Sequence, residues 1–426
     1  MSMEKKVPEI RFKGFSGEWK EKPFGTCFAN IPNNTLSRAE LNYRAGLAKN
    51  IHYGDVLIKF GETLDADSEL IPFITNNDVA NKLKHTALQS GDIVIADAAE
   101  DNTVGKCIEL LNVGELLVFS GLHTIAVRPT LPFASKYLGY YLNSASYHDQ
   151  LSSLMQGTKV LSISKTAIQN TLVVFPKNAE EQTAIGNYFQ KLDSLINQHQ
   201  QKHDKLSHLK KAMLEKMFPK QGETVPEIRF KGFSGEWKEK GITDISKVFI
   251  GLVTTMTTSY RSKGVLLIRN SDIKSNRFEF SVNPIYLDEK FADENSSRRL
   301  MLGDVVTVHT GDVGTSAVVT EKEEGSIGFA TIVSRPNKNI VDSNYLSVFL
   351  NTDIHKSFAI NVSTGDGRAN YNLKDFYKLN VPLPAVDEQA KIGNYFQKLD
   401  TLINQHQQQI TKLNNIKQAC LSKIFV

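Results

Sequence analysis

Hydrophobic positions recur along this chain with two different periods. Short β-branched and aliphatic runs bounded by Gly, Pro, Asn or Asp predict strands at Asp55-Val-Leu-Ile-Lys-Phe60, Asp92-Ile-Val-Ile-Ala96, His123-Thr-Ile-Ala-Val-Arg128, Val265-Leu-Leu-Ile-Arg269 and Asp304-Val-Val-Thr-Val-His309. A short helix is expected after each Arg-Pro pair, because Tyr137, Leu138, Tyr141 and Leu142, and Tyr345, Leu346, Phe349 and Leu350, fall at helical spacing. Leu172-Val-Val-Phe175 and Leu379-Asn-Val381 read as closing strands stopped by proline. Asn178 with Glu181 predicts a capping pair for the helix that follows; Ala385 stands in the place of Asn178 in the second instance, which moves the expected cap to Asp387.

After each closing strand the period becomes that of a heptad. The a positions are Ile185, Leu192, His199, Leu206 and Met213, then Ile392, Leu399, His406, Leu413 and Cys420. The d positions are Tyr188, Leu195, Lys202, Leu209 and Lys216, then Tyr395, Leu402, Gln409, Ile416 and Lys423. Both seams are apolar at their ends and polar in the middle. Neither helix can hide such a stripe alone, and each is the obvious partner of the other. The expected pairing seam is Ile185, Leu192, His199 and Leu206 with Ile392, Leu399, His406 and Leu413. His199 and His406 are expected to set register rather than bind metal, since no Cys or carboxylate sits at ligand spacing beside them.

The two halves are copies. The sixteen residues Val7 to Lys22 recur unchanged as Val225 to Lys240, Ile185 to Asp193 recurs as Ile392 to Asp400, and Leu195 to Gln201 as Leu402 to Gln408. The stretches between these flanks keep only landmarks: Gly91-Asp92 and Gly303-Asp304, Arg128-Pro129 and Arg335-Pro336, Tyr137-Leu138 and Tyr345-Leu346. A constant frame therefore carries two unlike inserts. The expected architecture is a pseudo-twofold α/β (α+β) chain: a domain over 1–178, a long helix over 179–219, a second domain over 220–384, and a second long helix over 385–426. The helices pair as an antiparallel coiled coil that joins and separates the domains.

Composition changes this picture little. At 41% hydrophobic and 23% charged, with a net charge of +4, the chain is ordinary and globular, and its mild basicity permits nucleic acid without pointing to it. No apolar run reaches the roughly 18 residues of a membrane span, and the polar start from Met1 to Lys6 predicts no secretory leader. Cys27, Cys107 and Cys420 lie far apart, which fits a reduced, cytoplasmic setting. Catalytic motifs are wanting. No GxxxxGK[ST], strand-borne GxGxxG or HExxH occurs. Asn283-Pro-Ile-Tyr286 falls short of an amino-methyltransferase element, and Asp288-Glu-Lys290 of a nuclease motif; turns explain both. These absences favour a binding protein over an enzyme.

One series of residues has a known counterpart. It runs Gly157-Thr158, Leu161 to Lys165, a strand closing in proline, Glu181-Gln182, then Ile185 to Asp193; the second copy runs Ser363 to Arg368, Asn372 to Asp375, Val381 to Pro384, Glu388-Gln389, then Ile392 to Asp400. This arrangement resembles the specificity subunit of type I restriction-modification systems, over nearly the whole chain. The resemblance implies that each domain reads one half of a bipartite, asymmetric target in double-stranded DNA. It implies that the helices set the unread spacer and dock two methyltransferase subunits. Motor-nuclease subunits would complete the complex. S-adenosylmethionine would belong to the methyltransferase and ATP with Mg to the motor, with no cofactor, metal or catalytic residue in this chain. Rival readings are a stand-alone DNA methyltransferase or nuclease with a divergent site, and a coiled-coil scaffold without DNA.

Phosphate contacts call for Lys, Arg, Ser or Thr, and base edges for Arg, Asn, Gln or Lys. The DNA-contacting candidates are Lys49, Lys59, Asn76, Asn77, Thr158, Lys159 and Lys165 in the first insert. In the second they are Arg269, Asn270, His309, Thr310, Arg368, Asn370 and Tyr371. Trp19, Trp237, Phe12, Phe15, Phe230 and Phe233 belong to the constant frame and are expected to pack.

Overall fold

The structure, a computed structural model, describes residues 6–365 and 369–426. It forms two compact units, one built from the chain up to residue 198 together with 409–426, the other from 199–408.

In the first unit the constant repeat ends in the strand Lys20–Pro23, which pairs antiparallel with Leu172–Phe175. A five-stranded sheet has the order Phe28–Ile31, Thr124–Pro129, Ile93–Ala96, Cys107–Leu111, Thr63–Asp65, antiparallel except for its last pair. A four-stranded sheet runs Leu117–Ser120, Ala48–Ile51, Phe73–Ile74, Leu41–Asn42, and its first pair is parallel. Central strands read as unbroken apolar runs because both of their faces are covered. Ile93 and Ile95 enter the core shared with the long helices, whereas Val94 and Ala96 enter a second core with Ile51, Val56 and Val118.

The second unit repeats this plan. Lys238–Gly241 pairs with Asn380–Leu383. One sheet runs Ser246–Ile250, Ile332–Pro336, Val305–Thr307, Ser316–Val318; the other runs Tyr260–Arg261, Tyr286–Leu287, Val265–Arg269, Ile327–Phe329. The expected helices lie at Tyr137–Leu142 and Ser343–Leu350.

One expected strand is a helix. Asp55 to Phe60 lies mostly within the helix Tyr53–Ile58. The His52 side chain accepts the Gly54 N–H and so caps its start, while Val56 and Phe60, four residues apart, point into the same core. A lone buried stripe of two residues fits both periods, and the cap decides between them.

The long helices span Ala179–Lys216 and Val386–Ile424. In the first unit Ile185 and Leu192 bury with Leu413, Ile416, Leu421 and Phe425. In the second unit Leu206 and Met213 pack against Ile392 and Leu399. Tyr188 meets Cys420 and Asp193 meets Lys417 in the first unit; His199 meets His406 and Lys210 meets Asp400 in the second. Later residues of one helix meet earlier residues of the other, so the paired segments within each unit run antiparallel. His199 and His406 face each other with Nδ1 atoms 2.9 Å apart, so one ring donates and the other accepts. Among the described residues no cluster of three or more metal-ligating side chains exists, and no helix is long and apolar enough to cross a membrane.

Each body is fixed to its helix by the same bonds. Arg11 grips Glu181 through Nε at 2.7 Å and Nη2 at 2.8 Å; Arg229 grips Glu388 at 2.6 and 2.7 Å. Glu181 is therefore not the expected capping partner of Asn178, whose side chain instead accepts the Glu180 N–H. The neighbouring Gln182 bonds to the Pro176 carbonyl and the Ala134 N–H, and Gln389 to the Pro384 carbonyl and the Asp342 N–H. Gly186 and Gly393 let the helix approach the start of the short helix: an added Cβ would lie 3.1 Å from the Ser135 carbonyl oxygen in one unit and 2.9 Å from Asp342 in the other. Trp19 and Trp237 are buried, and Phe12 and Phe230 pack edge-on against Tyr188 and Tyr395.

Candidate nucleic-acid interface

The two units differ in the polar surface carried by the strand ends and their loops. In the first unit Gly157, at φ +117°, opens a hairpin closed by the bridge Gln156–Ser162; in the second Gly365 has φ +123°, and Thr364 bridges Asn370.

In the first unit a polar stripe leads away from this hairpin. Thr158 and Lys159 are exposed on the turn. Lys165 begins the helix Lys165–Gln169 and donates to Asn33 Oδ1 at 3.2 Å; Asn33 in turn donates to the Gly121 carbonyl. His123 follows, at φ +53°, with its Nδ1 3.2 Å from Asp97 Oδ1 and its ring 5.3 Å from that of Tyr53. Burial pushes the Asp97 carboxyl up, and the His123 ring opposes that rise. The His52 ring lies 4.7 Å from that of Tyr53, tilted by 34°, and burial together with the Arg38 charge lowers its imidazole. Arg38 and Lys59 both hold Asp55, and Lys59 donates to the Tyr43 hydroxyl at 2.6 Å, which raises its ammonium. Beyond Tyr43, Asn77 accepts the Leu47 N–H while Asn76 caps the helix Asn77–Lys82. A series of neighbouring side chains thus runs from Lys165 to Lys59, Asn76 and Asn77, while Thr158 and Lys159 are exposed on the hairpin that precedes Lys165.

Lys49 does not join them. It is 4% exposed, and its ammonium donates to the Ala66 and Ser68 carbonyls over the Phe73 ring. Burial lowers its pKa, and the side chain serves the interior.

In the second unit four of the chosen residues form one hydrogen-bonded line. The Asn270 side chain accepts the His309 N–H at 2.8 Å, His309 Nδ1 lies 2.7 Å from Thr310 Oγ1, and Thr310 donates to Asn370 Oδ1 at 2.9 Å. Burial lowers the His309 imidazole, leaving it a neutral donor-acceptor near neutral pH. Arg269 is held by Asp272, 2.8 Å away, which raises its pKa. Tyr371 is fully buried, its hydroxyl 3.3 Å from His355 Nε2. Burial pushes this tyrosine up and His355 down to about 4, so both are neutral core groups. Arg368 lies outside the described residues.

Arg38, Tyr43, Arg44, His52, Tyr53 and His123 also stand among these side chains in the first unit, though they were not among the candidates read from sequence. The signals existed in part: His123 follows Gly121-Leu122 at the end of an apolar run, and Tyr43-Arg44 precedes a glycine in a turn.

The family model described as the type I restriction modification DNA specificity domain matches residues 50–208 and again 234–415. The EcoBI specificity subunit of Escherichia coli is 27% identical over 167 residues, 38% of this chain and 35% of that protein. The putative MjaX specificity subunit of Methanocaldococcus jannaschii is 24% identical over 195 residues, 45% of each chain. These two alignments thus span less than half the length of either relative. The StySPI specificity subunit of Salmonella potsdam aligns over 96% of this chain and 88% of its own length at 23% identity. Among solved structures, the type I restriction-modification S subunit from M. genitalium superposes with a TM-score of 0.58 over 99% of both chains at 14% identity, a likeness of fold. Two family matches in tandem, each spanning one insert and much of its long helix, place this chain in the family of type I restriction modification DNA specificity proteins.

Proposed function

We propose that this chain is the DNA-recognition subunit of a type I restriction-modification complex and carries no catalytic residues of its own. Each unit reads one half of a bipartite, asymmetric target in double-stranded DNA. Two methyltransferase subunits dock on the repeated frame, and motor-nuclease subunits join them. S-adenosylmethionine then belongs to the methyltransferase and ATP with Mg to the motor. The single observation that carries this reading is the contrast between frame and surface. Arg11–Glu181 and Arg229–Glu388, or Arg128–Asp92 and Arg335–Asp304, are the same bonds at matching positions. The loops above them share almost nothing: Asp97 and His123 of one unit correspond in position to His309 and Ala330 of the other. A near-repeated frame offers one partner two equivalent seats; unlike loops present different donors and acceptors to base edges.

The test is co-expression with the cognate methyltransferase followed by methylome sequencing. A bipartite motif with two different half-sites is expected. Exchange of the first insert for that of a relative with another target should change one half-site only. A contiguous or palindromic motif, or methylation that persists without this chain, would overturn the proposal. Covalent photolabelling by S-adenosylmethionine of the purified chain alone would favour the rival methyltransferase reading.

A further inference from the structure

Four arginines lie among the described residues of the first unit. Arg11 is tied to Glu181, Arg38 to Asp55 and Arg128 to Asp92. Arg44 is exposed, and its guanidinium has no hydrogen-bond or ion-pair partner among the described residues. An arginine left free in a unit that pairs every other one is an unused five-donor fork.

The loop that carries it is held firmly. Asn42 Oδ1 accepts the Arg44 N–H at 2.8 Å and the Ala45 N–H at 3.1 Å, and its amide donates to Thr75. Leu47 N–H is bound by Asn77 Oδ1 at 3.2 Å. At Gly46 a Cβ would lie 2.7 Å from the Ile74 carbonyl oxygen, so only glycine lets the loop sit this close to its neighbouring strand. Lys59 stands 4.8 Å from the centre of the Tyr43 ring and bonds its hydroxyl. The two apolar side chains flanking Arg44 are turned outward: Tyr43 is 52% exposed and Leu47 51%. A free guanidinium between outward apolar groups, on a braced turn at the end of the polar stripe, matches what a base edge requires. The fork pairs with O6 and N7 of guanine, and apolar flanks suit the thymine methyl or sugar. Lysines along the same stripe suit phosphates, which need charge without a planar fork.

The second unit has the same loop with other chemistry. Between Tyr260–Arg261 and Val265–Arg269, Arg261 is tied to Asp288 and to the Thr258 and Tyr260 carbonyls, and Lys263 is exposed at the tip. The position is kept and the contact group changed, as two readers of different half-sites require.

We propose that Arg44 is a specificity-determining residue that reads a guanine in the major groove of the half-site bound by the first unit. This rests on the DNA-recognition role proposed above. The experiment uses the assembled methyltransferase complex with wild-type chain, Arg44→Ala and Arg44→Lys, thermal melts establishing that each variant is folded. Methylome sequencing and competition binding at two salt concentrations give the readouts. Expected for Arg44→Ala is relaxation at one guanine-containing position of one half-site, with discrimination there falling about tenfold to a hundredfold. The other half-site should stay intact. Arg44→Lys should retain affinity for mixed-sequence DNA yet lose most of that discrimination. A uniform loss of affinity with a shallower salt dependence would make Arg44 a phosphate contact and overturn the assignment. An unchanged motif and affinity would also overturn it. Failure of the wild-type complex to show any bipartite motif would instead sink the underlying recognition role.

Discussion

Glu109 is 2% exposed on the strand Cys107–Leu111, and its two carboxylate oxygens accept the Lys136 and Gly139 N–H groups at the start of the helix Tyr137–Leu142. Burial pushes it up to about 7 against those bonds. The sign follows from proton binding. Between the ordinary carboxylate range and about 7 the folded chain holds a proton that the unfolded chain has lost, so stability is full below that window and falls as pH rises through it. The loss is on the order of 3 kcal/mol at most. Denaturant titrations of wild type and Glu109→Gln across the window should show a stability difference that shifts in favour of the variant as pH rises. Parallel curves would show that Glu109 is not the titrating group. The same dependence on distant neighbours explains which residues could be read from sequence. Lys59 and Lys49 are both lysines that follow apolar residues, yet the first ends beside solvent-exposed Tyr43 and the second beneath Ser68. Tyr371 looked like a loop aromatic because polar and glycine residues precede it; its ring is buried against His355. Burial is set by chain segments far away in sequence, and no local pattern reports it.

Among the elements, the frame was plain in the sequence because its bonds recur. The identical flanks pointed to a shared role, and the shared role is mechanical: Arg11 and Arg229 clamp Glu181 and Glu388, which are 2% and 0% exposed as side chains. Arg11→Ala or Arg229→Ala strands a buried carboxylate, at a cost of about 3–5 kcal/mol. Calorimetry should show each substitution lowering the melting of its own unit, and replacement of the glutamate as well, by Leu, should recover much of the loss. Recovery in neither unit would assign the cost to packing. Gly393→Ala tests the seat of the body on the helix. Helix propensity favours alanine by roughly 1 kcal/mol, but the new Cβ would sit 2.9 Å from Asn344 Cβ and 3.0 Å from the Tyr345 nitrogen. Net destabilisation of about 1–2 kcal/mol is expected, and less at Gly186, where the nearest atoms are 3.1–3.2 Å away. A stabilised Gly393→Ala variant would remove the close-approach argument. Strands buried on both faces were equally readable, since Ile93 to Ala96 cannot alternate. The helix Tyr53–Ile58 was not, because its defining signal is an imidazole cap at His52 rather than a period.

For the molecule as a whole, the duplication was visible from identical residues alone, and so was the helical pairing. What sequence left hidden was the proposed reading surface, since its candidate members come from segments far apart in the chain, as the bonded pair Lys165 and Asn33, 132 residues apart, shows. Under the proposed role the long helices set the spacer. Four residues added to the first long helix near Gln198, matched by four in the second near Gln408, lengthen a helical rod by about 6 Å, a little under two base pairs. Methylome sequencing of this variant should show a longer spacer between unchanged half-sites. Altered half-sites with the old spacer would rule out the ruler.

The seat at Gly186 and Gly393 has a consequence for inheritance. A contact this close penalises any added side chain, yet it recurs in both copies and meets the neighbouring body through backbone and only a few side-chain atoms. Lineages that keep this small joint are free to exchange everything beyond it. Under the proposed role, new target preferences can then arise in a single recombination, with the joint untouched and the assembly intact, instead of through a succession of intermediates that recognise nothing.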